Sequence, residues 1–379
     1  MEHQTCAHES ITPDDPSRAV IVKTSQAART AMVWAFASTA CFLGSVLLAP
    51  RPPLWGCCMI SVFAGFAASV VALVLGLIAL ARMGVSGGRL IGRGFAVVAV
   101  TISSIELLVL LLLVVLVGSR IRTLDRRMEC GTNLSGIGKA MLFYANDYEG
   151  RLPLAGGQGA TWGARLTDWS AASRAEAFGL DPNNAGGQAT ISSSLYLLVR
   201  YADHSPNVFV CPSDRGTRRF DPNKHLAART DLTMLWDFGP DPVKHCSYAY
   251  QMVYGPHKLT TSGESGMAIA ADRNPWMDSP FVKAKNFLRF KPDISPFNGT
   301  TEQSKHGNAF RHDADGQNVM FLDSHVEFAK RAYCGLDDDN VYTISTREAA
   351  GDPLGTPPKF GSQPANARDS LLVNDPPVP

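Results

Sequence analysis

An apolar run from Phe95 to Val117 constrains this chain most, because it exceeds the roughly 20 residues a helix needs to cross the hydrocarbon core of a bilayer. One acid, Glu106, interrupts it within "ISSIELLVLLLLVVLVGSR". An acid at that depth costs a few kcal/mol on insertion scales, so it calls for a partner, a proton or a task. Two further apolar stretches precede the run, about Thr30 to Ala49 and about Trp55 to Ala81, and "APRPPLW" and "RMGVSGGRLIGRG" join the three. Residues 30–118 therefore read as a membrane domain of about three transmembrane helices, with the lipid bilayer as its partner. Gly65, Ala68, Ala72, Gly76 and Ala79 recur at spacings of three or four, which lets helices approach closely, although Gly and Ala are also ordinary membrane filler.

The remainder is a different kind of chain. Residues 1–29, with Pro13, Asp14, Asp15 and Pro16 and few aromatics, read as a disordered cytoplasmic tail rather than a signal peptide. A formal net charge of +1 gives no reason to expect nucleic acid as a partner. Basic residues lie on both sides of the membrane domain: Arg18, Lys23, Arg29, Arg82, Arg89 and Arg93 against Arg51, Arg120, Arg122, Arg126 and Arg127. The balance leans toward an inside N-terminus and an outside head, giving a multi-pass protein of the bacterial cytoplasmic membrane with an extracytoplasmic C-terminal part.

After the third span the pattern becomes amphipathic. Ile121, Leu124, Met128, Leu134, Ile137, Met141 and Tyr144 step by three and four once Gly131 fills the gap, so the membrane helix continues as a stalk over 119–150. Residues 151–350 form a head. In it "ISSSLYLLVRYADH" reads as a short helix with serine capping, and "NVFV", "CSYAYQMVYG" and "GMAIAADRNP" read as strands. "NVMFLDSHVEF" reads as a hairpin around a two-residue Asp323-Ser324 turn, and 351–379 as a loop-rich tail. Cys130, Cys211, Cys246 and Cys334 lack zinc-like spacing. They suit one or two disulfides outside the cytoplasm or four buried thiols, and the pairing stays open.

Taken in order, "SSIELLVLLL", "CGTNLSGIGKAMLFYANDYEGRLP", "VFVCPSD", "CSYAY", "MAIAADRNP", "RHDADGQNVMFLDSHVEF" and "DNVYT" resemble the pseudopilin-like proteins of planctomycete and related bacteria. These are similar to type II secretion pseudopilins and carry a prepilin-processing-associated motif of a His before an Asp-Gly pair. "FAASVVALVLGLIALARM" with "GRGFAVVAVT" resembles a small bacterial membrane domain of unknown function. The likeness implies an α+β fold: a long pilin-like helix leading into a pseudopilin-like head with an antiparallel sheet. It matches Glu106 to the pilin acid and His312, Asp323 and Ser324 to the motif, where Ser324 replaces the family's Gly and ten residues separate His312 from Asp323 rather than nine. Thr101 stands where the family is cleaved after Gly, no basic residue stands just before it, and two spans lie upstream. The helix is therefore read as a permanent anchor, with Glu106 protonated or hydrogen-bonded to a neighbouring membrane helix. Pilin-like subunits are the other partners the likeness implies.

Chemistry is sparse. His312, Asp323 and His325 have metal-ligand chemistry but are explained as well by turn hydrogen bonding, and Asp337, Asp338 and Asp339 offer oxygens for calcium or make an exposed acidic loop. No nucleophile or phosphate-loop motif occurs, and Asp272 and Asp323 read as scattered acids with nothing to pair them. The expectation is a non-enzymatic envelope protein without a cofactor or bound metal, acting in assembly or binding, with secretion machinery as one setting for it. The alternatives are a tethered head binding carbohydrate or peptide through Trp162, Trp169 and Trp276, and, last, a metal-dependent hydrolase on His312, Asp323 and His325.

Overall fold

The computed structural model describes residues 23–48, 55–86, 90–214, 216–226, 231–348 and 350–377. Contacts divide the chain into two units, Met1–Arg120 and Ile121–Pro379.

In the first unit β1 (Lys23–Thr24) pairs in parallel with β2 (Leu90–Ile91). The helices are α1 (Gln26–Leu48), α2 (Trp55–Val85) and the first part of α3 (Arg93–Asp147). Most of the expected tail lies outside the described residues, and its end is β1 and the start of α1. The helices meet through small residues: Ala28, Ala31, Ala35, Ala72, Ala79, Ala96 and Ala99 are fully buried. A β-carbon on Gly76 would come 2.6 Å from Val100, and one on Gly65 would come 3.3 Å from the Phe42 ring. The small-residue spacing in α2 is thus a packing surface.

Among the described residues, two helical stretches are long and apolar enough to cross a membrane, Ile60–Val85 and Arg93–Asp147. α1, with Gln26, Arg29, Thr30, Ser38 and Thr39 along it, is not among them. In α3, Leu108, Val109 and every residue from Leu111 to Val117 are at least half exposed, so the helix is apolar around its whole circumference. Such a surface suits lipid rather than water.

The second unit begins with the rest of α3, which runs without a break to Asp147. Its buried face is Cys130, Leu134, Ile137, Met141 and Tyr144, whereas Ile121, Leu124 and Met128 are exposed. The apolar stripe therefore starts later than the spacing predicts. Next come β3 (Thr161–Trp162), α4 (Arg174–Phe178), β4 (Gln188–Ala189) and α5 (Ile191–Tyr201). They lead to β5 (Tyr248–Gln251), β6 (Ala268–Asp272), α6 (Thr301–Lys305), β7 (Gln317–Phe321), β8 (Val326–Ala329) and β9 (Leu372–Val373). The last five strands form an antiparallel sheet in the order β8-β7-β6-β5-β9, and β3 and β4 make a separate parallel pair.

Side chains alternate across this sheet, as a strand's period of two requires. Tyr248, Tyr250, Ala270 and Met320 join the α3 residues in one core, while Ala249, Ala271, Val319, Phe321 and Leu372 join Trp276, Phe290 and Tyr342 in another. α3 lies close to β7 because it presents glycines there: a β-carbon at Gly138 would sit 2.6 Å from the Met320 sulfur, and one at Gly131 would sit 3.1 Å from Asn318.

Three local expectations change. "NVFV" is not a strand but part of a 3-10 turn, Pro206–Phe209, where Ser205 caps Asn207 and proline supplies the first helical φ. The hairpin loop has three residues, Leu322 to Ser324: Ser324 N–H donates to Phe321 C=O at 2.9 Å, Phe321 N–H donates to His325 C=O at 3.0 Å, and Ser324 takes φ 70°. That is a type I turn closed by a left-handed residue, the place where the family likeness has glycine. The expected loop-rich tail is part of the head, because β9 adds an edge strand beside β5.

The tail also caps α5. Asp375 accepts from Ile191 and Ser192 N–H, both at 2.8 Å, and from Trp162 Nε1 at 2.9 Å. Thr190 is the N-cap, exchanging hydrogen bonds with Ser193 and donating to Asp237 at 2.5 Å. A second carboxylate thus stands at the end of the helix where free N–H groups favour anions.

Candidate functional site

Four segments far apart in sequence converge beneath α3. Cys130 comes from α3 and Cys211 from the turn after Pro206–Phe209, and the two form a disulfide with Cα atoms 5.1 Å apart. Asp272 ends β6, and His312 lies in a turn before β7 where His312, Asp313 and Ala314 all have φ between 55° and 60°. Three successive non-glycine residues in the left-handed region carry backbone strain, which the surrounding contacts hold in place.

The His312 side chain is fully buried. Its Nε2 lies 3.3 Å from Asp272 Oδ2, 3.3 Å from Asn318 Nδ2 and 3.9 Å from Cys211 Sγ, and its Nδ1 lies 3.2 Å from Ser213 Oγ. Asp272 in turn accepts the N–H of its cross-strand neighbour Asn318 at 2.8 Å, while its Oδ1 is buried without a hydrogen-bond partner among the described residues. Arg127 of α3 reaches the His312 carbonyl at 3.2 Å and Asp315 at 2.8 Å, and its guanidinium lies 4.6 Å from the centre of the Phe328 ring. Behind this group Asp214 is buried between Arg311 and Arg273, the latter at 3.3 Å, and Arg273 also donates to the Val243 and Cys246 carbonyls. The strings "CPSD", "ADRN" and "RH" are thus adjacent in space: Cys211, Ser213, Asp272 and His312 go to the histidine group, and Asp214, Arg273 and Arg311 go to the ion-pair group.

These contacts correct several expectations. Asp272, read as unpaired, is the partner of His312. Asp323 instead pairs with His325 at 2.5 Å on the exposed hairpin loop, so the His312, Asp323 and His325 trio splits between a buried and an exposed place. Of the four head cysteines, Cys246 and Cys334 are free thiols, and burial pushes Cys246 up to about 12, which keeps it an inert thiol. Asp337 and Asp338 take φ of 54° and 61° and Asp337 pairs with Arg368 at 3.0 Å, whereas the buried Asp339 accepts the N–H groups of Asp352 and Ser370. The three acids do not share one ligand position. Trp162, Trp169 and Trp276 are buried, so none offers an exposed stacking face.

Ser213, His312 and Asp272 follow the order of a charge-relay triad. Here, however, the acid sits on Nε2 and the hydroxyl on Nδ1, the reverse of the usual attachment, and the ring has no exposed surface. In this arrangement both ring nitrogens are held by neighbours of the same unit. Sequence spacing could not foresee it, because its members lie on separate strands and turns; the only local signal was the recurrence of polar residues inside apolar strings.

In the first unit Glu106 has its own polar environment. Ser38 and Thr39 of α1 donate to it at 2.5 Å each, and Ser69 of α2 donates at 2.7 Å. The expected hydrogen-bonded neighbour is therefore two helices of the same unit. No family model, no curated protein and no solved structure matches the chain.

Proposed function

We propose that this is a membrane-anchored, non-enzymatic, pseudopilin-like envelope protein, with three membrane helices and an extracytoplasmic head that acts in assembly or binding. The observation that carries the reading is Glu106. In pilin-like filaments the corresponding acid answers to a neighbouring subunit, but here Ser38, Thr39 and Ser69 of the same chain occupy it. A satisfied acid favours an anchor that stays in the membrane over a helix waiting to be packed into a filament. The continuity of α3 from its apolar part to the buried face at Leu134 and Met141 supports an anchor that is also a core element of the head. The Cys130–Cys211 disulfide supports an oxidising compartment for that head.

A topology reporter fused after the head, combined with alkylation of intact cells before and after reduction, tests this reading. The expected result is an outside reporter, an uncleaved chain that alkaline carbonate does not extract, and labelling of Cys130 and Cys211 only after reduction. A cytoplasmic reporter, or a chain shortened at Ile102, overturns it.

A further inference from the structure

We infer that the reduced head holds one divalent cation of the zinc class between Cys130, Cys211, Asp272 and His312, and that closing the disulfide expels it. The inference does not depend on the pseudopilin likeness. It starts from the fact that one ligand atom from each of these four buried residues lies within 4.8 Å of the other three. Two thiolates, an imidazole nitrogen and a carboxylate oxygen are a donor set that zinc takes in tetrahedral geometry.

The surroundings that hold the disulfide also have the features of a metal site. A ligating histidine holds its other nitrogen in a hydrogen bond, and His312 Nδ1 has Ser213 Oγ at 3.2 Å while Nε2 faces Cys211 Sγ, Asp272 Oδ2 and the Asn318 side-chain amide, which a bound cation would displace. A ligating carboxylate is fixed by donors of its own, and Asn318 N–H holds Asp272 Oδ2 at 2.8 Å. Asp272 Oδ1, buried and without a partner among the described residues, is an acceptor that a cation would satisfy. The left-handed turn at His312, Asp313 and Ala314 brings the ring to this position. A tetrahedral zinc sets its sulfurs roughly 3.8 Å apart, so disulfide and metal exclude each other.

The chemistry balances with a dithiol reductant of the thioredoxin class. One reductant thiolate attacks a cysteine sulfur, the Cys130–Cys211 bond breaks, and a mixed disulfide forms; the second reductant thiolate then displaces the remaining cysteine. Two electrons pass to the protein, the reductant leaves as its disulfide, and two protein thiols result. Binding of the dication releases their two protons to solvent. Both sulfurs are fully buried, so reduction requires local opening of the head.

The full chain in detergent, reduced with a water-soluble phosphine and desalted, is titrated with cobalt(II) and then with zinc. The expected result is one cobalt per chain with sulfur-to-metal charge-transfer and tetrahedral visible bands, displaced by zinc, and none of this in the oxidised chain. Asp272→Asn and His312→Gln should weaken cobalt binding at least about 100-fold and Ser213→Ala 10–100-fold, while Cys246→Ser leaves it unchanged. A readout that needs no variant is mass mapping of alkylation, where zinc should protect Cys130 and Cys211 but not Cys334. Cobalt without a thiolate band, equal uptake by the oxidised chain, or reduced chain whose Cys130 and Cys211 alkylate at the same rate with and without zinc overturns the proposal.

Discussion

Both units hold carboxylates away from water, half-buried in the first and fully buried in the head, and they satisfy them by different means. In the membrane-like unit Glu106 receives only side-chain hydroxyls, from Ser38, Thr39 and Ser69. In the head Asp375 receives two backbone N–H groups and an indole, and Asp339 receives two backbone N–H groups. The difference follows from the backbone. Within an apolar helix the N–H groups are spent on the helix itself, so a hydroxyl is the donor left to offer. In the head, helix starts and loops leave N–H groups that need an acceptor, and a carboxylate supplies it. The acid is an embarrassment that hydroxyls relieve in one unit and a structural clamp in the other.

If that contrast holds, removing a clamp has the largest effect. Asp375→Ala strands the N–H groups of Ile191 and Ser192 and the indole of Trp162, all buried. At about 1–3 kcal/mol for each unsatisfied donor after partial relaxation, the head should lose roughly 3–5 kcal/mol. Thermal denaturation of the detergent-solubilised chain, followed by tryptophan fluorescence, should show a fall in Tm of 10 °C or more. A fall of only a degree or two breaks the comparison, because the tail would then be an ornament on α5.

That clamp was hidden in the sequence, and so was the histidine group, for the same reason. Phe95 to Val117, the stalk continuing to Tyr144, α5 and the strands β5 to β8 were legible because each is written in local periodicity, although α5 is capped by Thr190 rather than by a serine. Asp375 sits in a stretch without periodicity and acquires its role from Ile191, on an element far away in the chain. Likewise His312 was noticed beside Asp323, near it in sequence, whereas the fold brings it from the turn before β7 to Asp272 at the end of β6. The choice of Cys130 with Cys211 among four cysteines was open for the same reason. "NVFV" misled because its apolar residues favour a strand, while Ser205 and Pro206 open a 3-10 turn.

The second effect separates the units by pH. Asp237 is pushed up to about 8 by burial and then by Asp375, Asp339 to about 7 by burial and then by Asp369, and Asp369 to about 6 by burial. Each binds its proton more tightly folded than unfolded, so between about pH 4 and pH 8 these three acids carry more protons in the folded head than in the unfolded chain, against the opposite pull of His204, His245 and His306, whose pKa values burial lowers. Stability is then fully present below the unfolded carboxylate range and falls as pH rises through 6 to 8. Lowering the pH from 8 to 5 should raise the Tm of the head by several degrees, and Asp237→Asn should flatten the upper part of that rise. Asp293, held down to about 2 chiefly by its Arg331 hydrogen bonds, works in the opposite sense and costs stability only in stronger acid. A Tm that climbs from pH 5 to 8 would reverse the assignment of these buried acids.

In the membrane-like unit the effects should be smaller, because the donors have somewhere else to turn. Ser38 and Thr39 also lie at 2.7 and 3.0 Å from the Ala35 carbonyl, and Ser69 lies at 3.0 Å from that of Gly65. One hydroxyl hydrogen cannot serve both acceptors, so loss of the acid returns each hydroxyl to its own helix. Glu106→Leu should therefore cost no more than about 1–2 kcal/mol, read as a modest shift in the dodecyl sulfate concentration that unfolds the helices, with Glu106→Gln between it and the parent chain. A shift as large as that for Asp375→Ala would mean that Glu106 is a clamp after all.

The smallest effect tests the donors one at a time. Hydrogen bonds between membrane helices average about 0.6 kcal/mol in double-mutant cycles, so Ser69→Ala alone should barely move the unfolding midpoint. Paired with Glu106→Leu, however, it should show coupling: once the acid is gone, removing the hydroxyl costs less than it does in the parent chain. Ser69 is the informative position because it comes from α2, whereas Ser38 and Thr39 are adjacent on α1. Coupling for Ser69 equal to that for Ser38 would mean that the carboxylate ties both helices to α3. Coupling for Ser38 and Thr39 alone would reduce the acid's role to a link between α1 and α3, with α2 held by Ala72, Gly76 and Ala79 through packing instead.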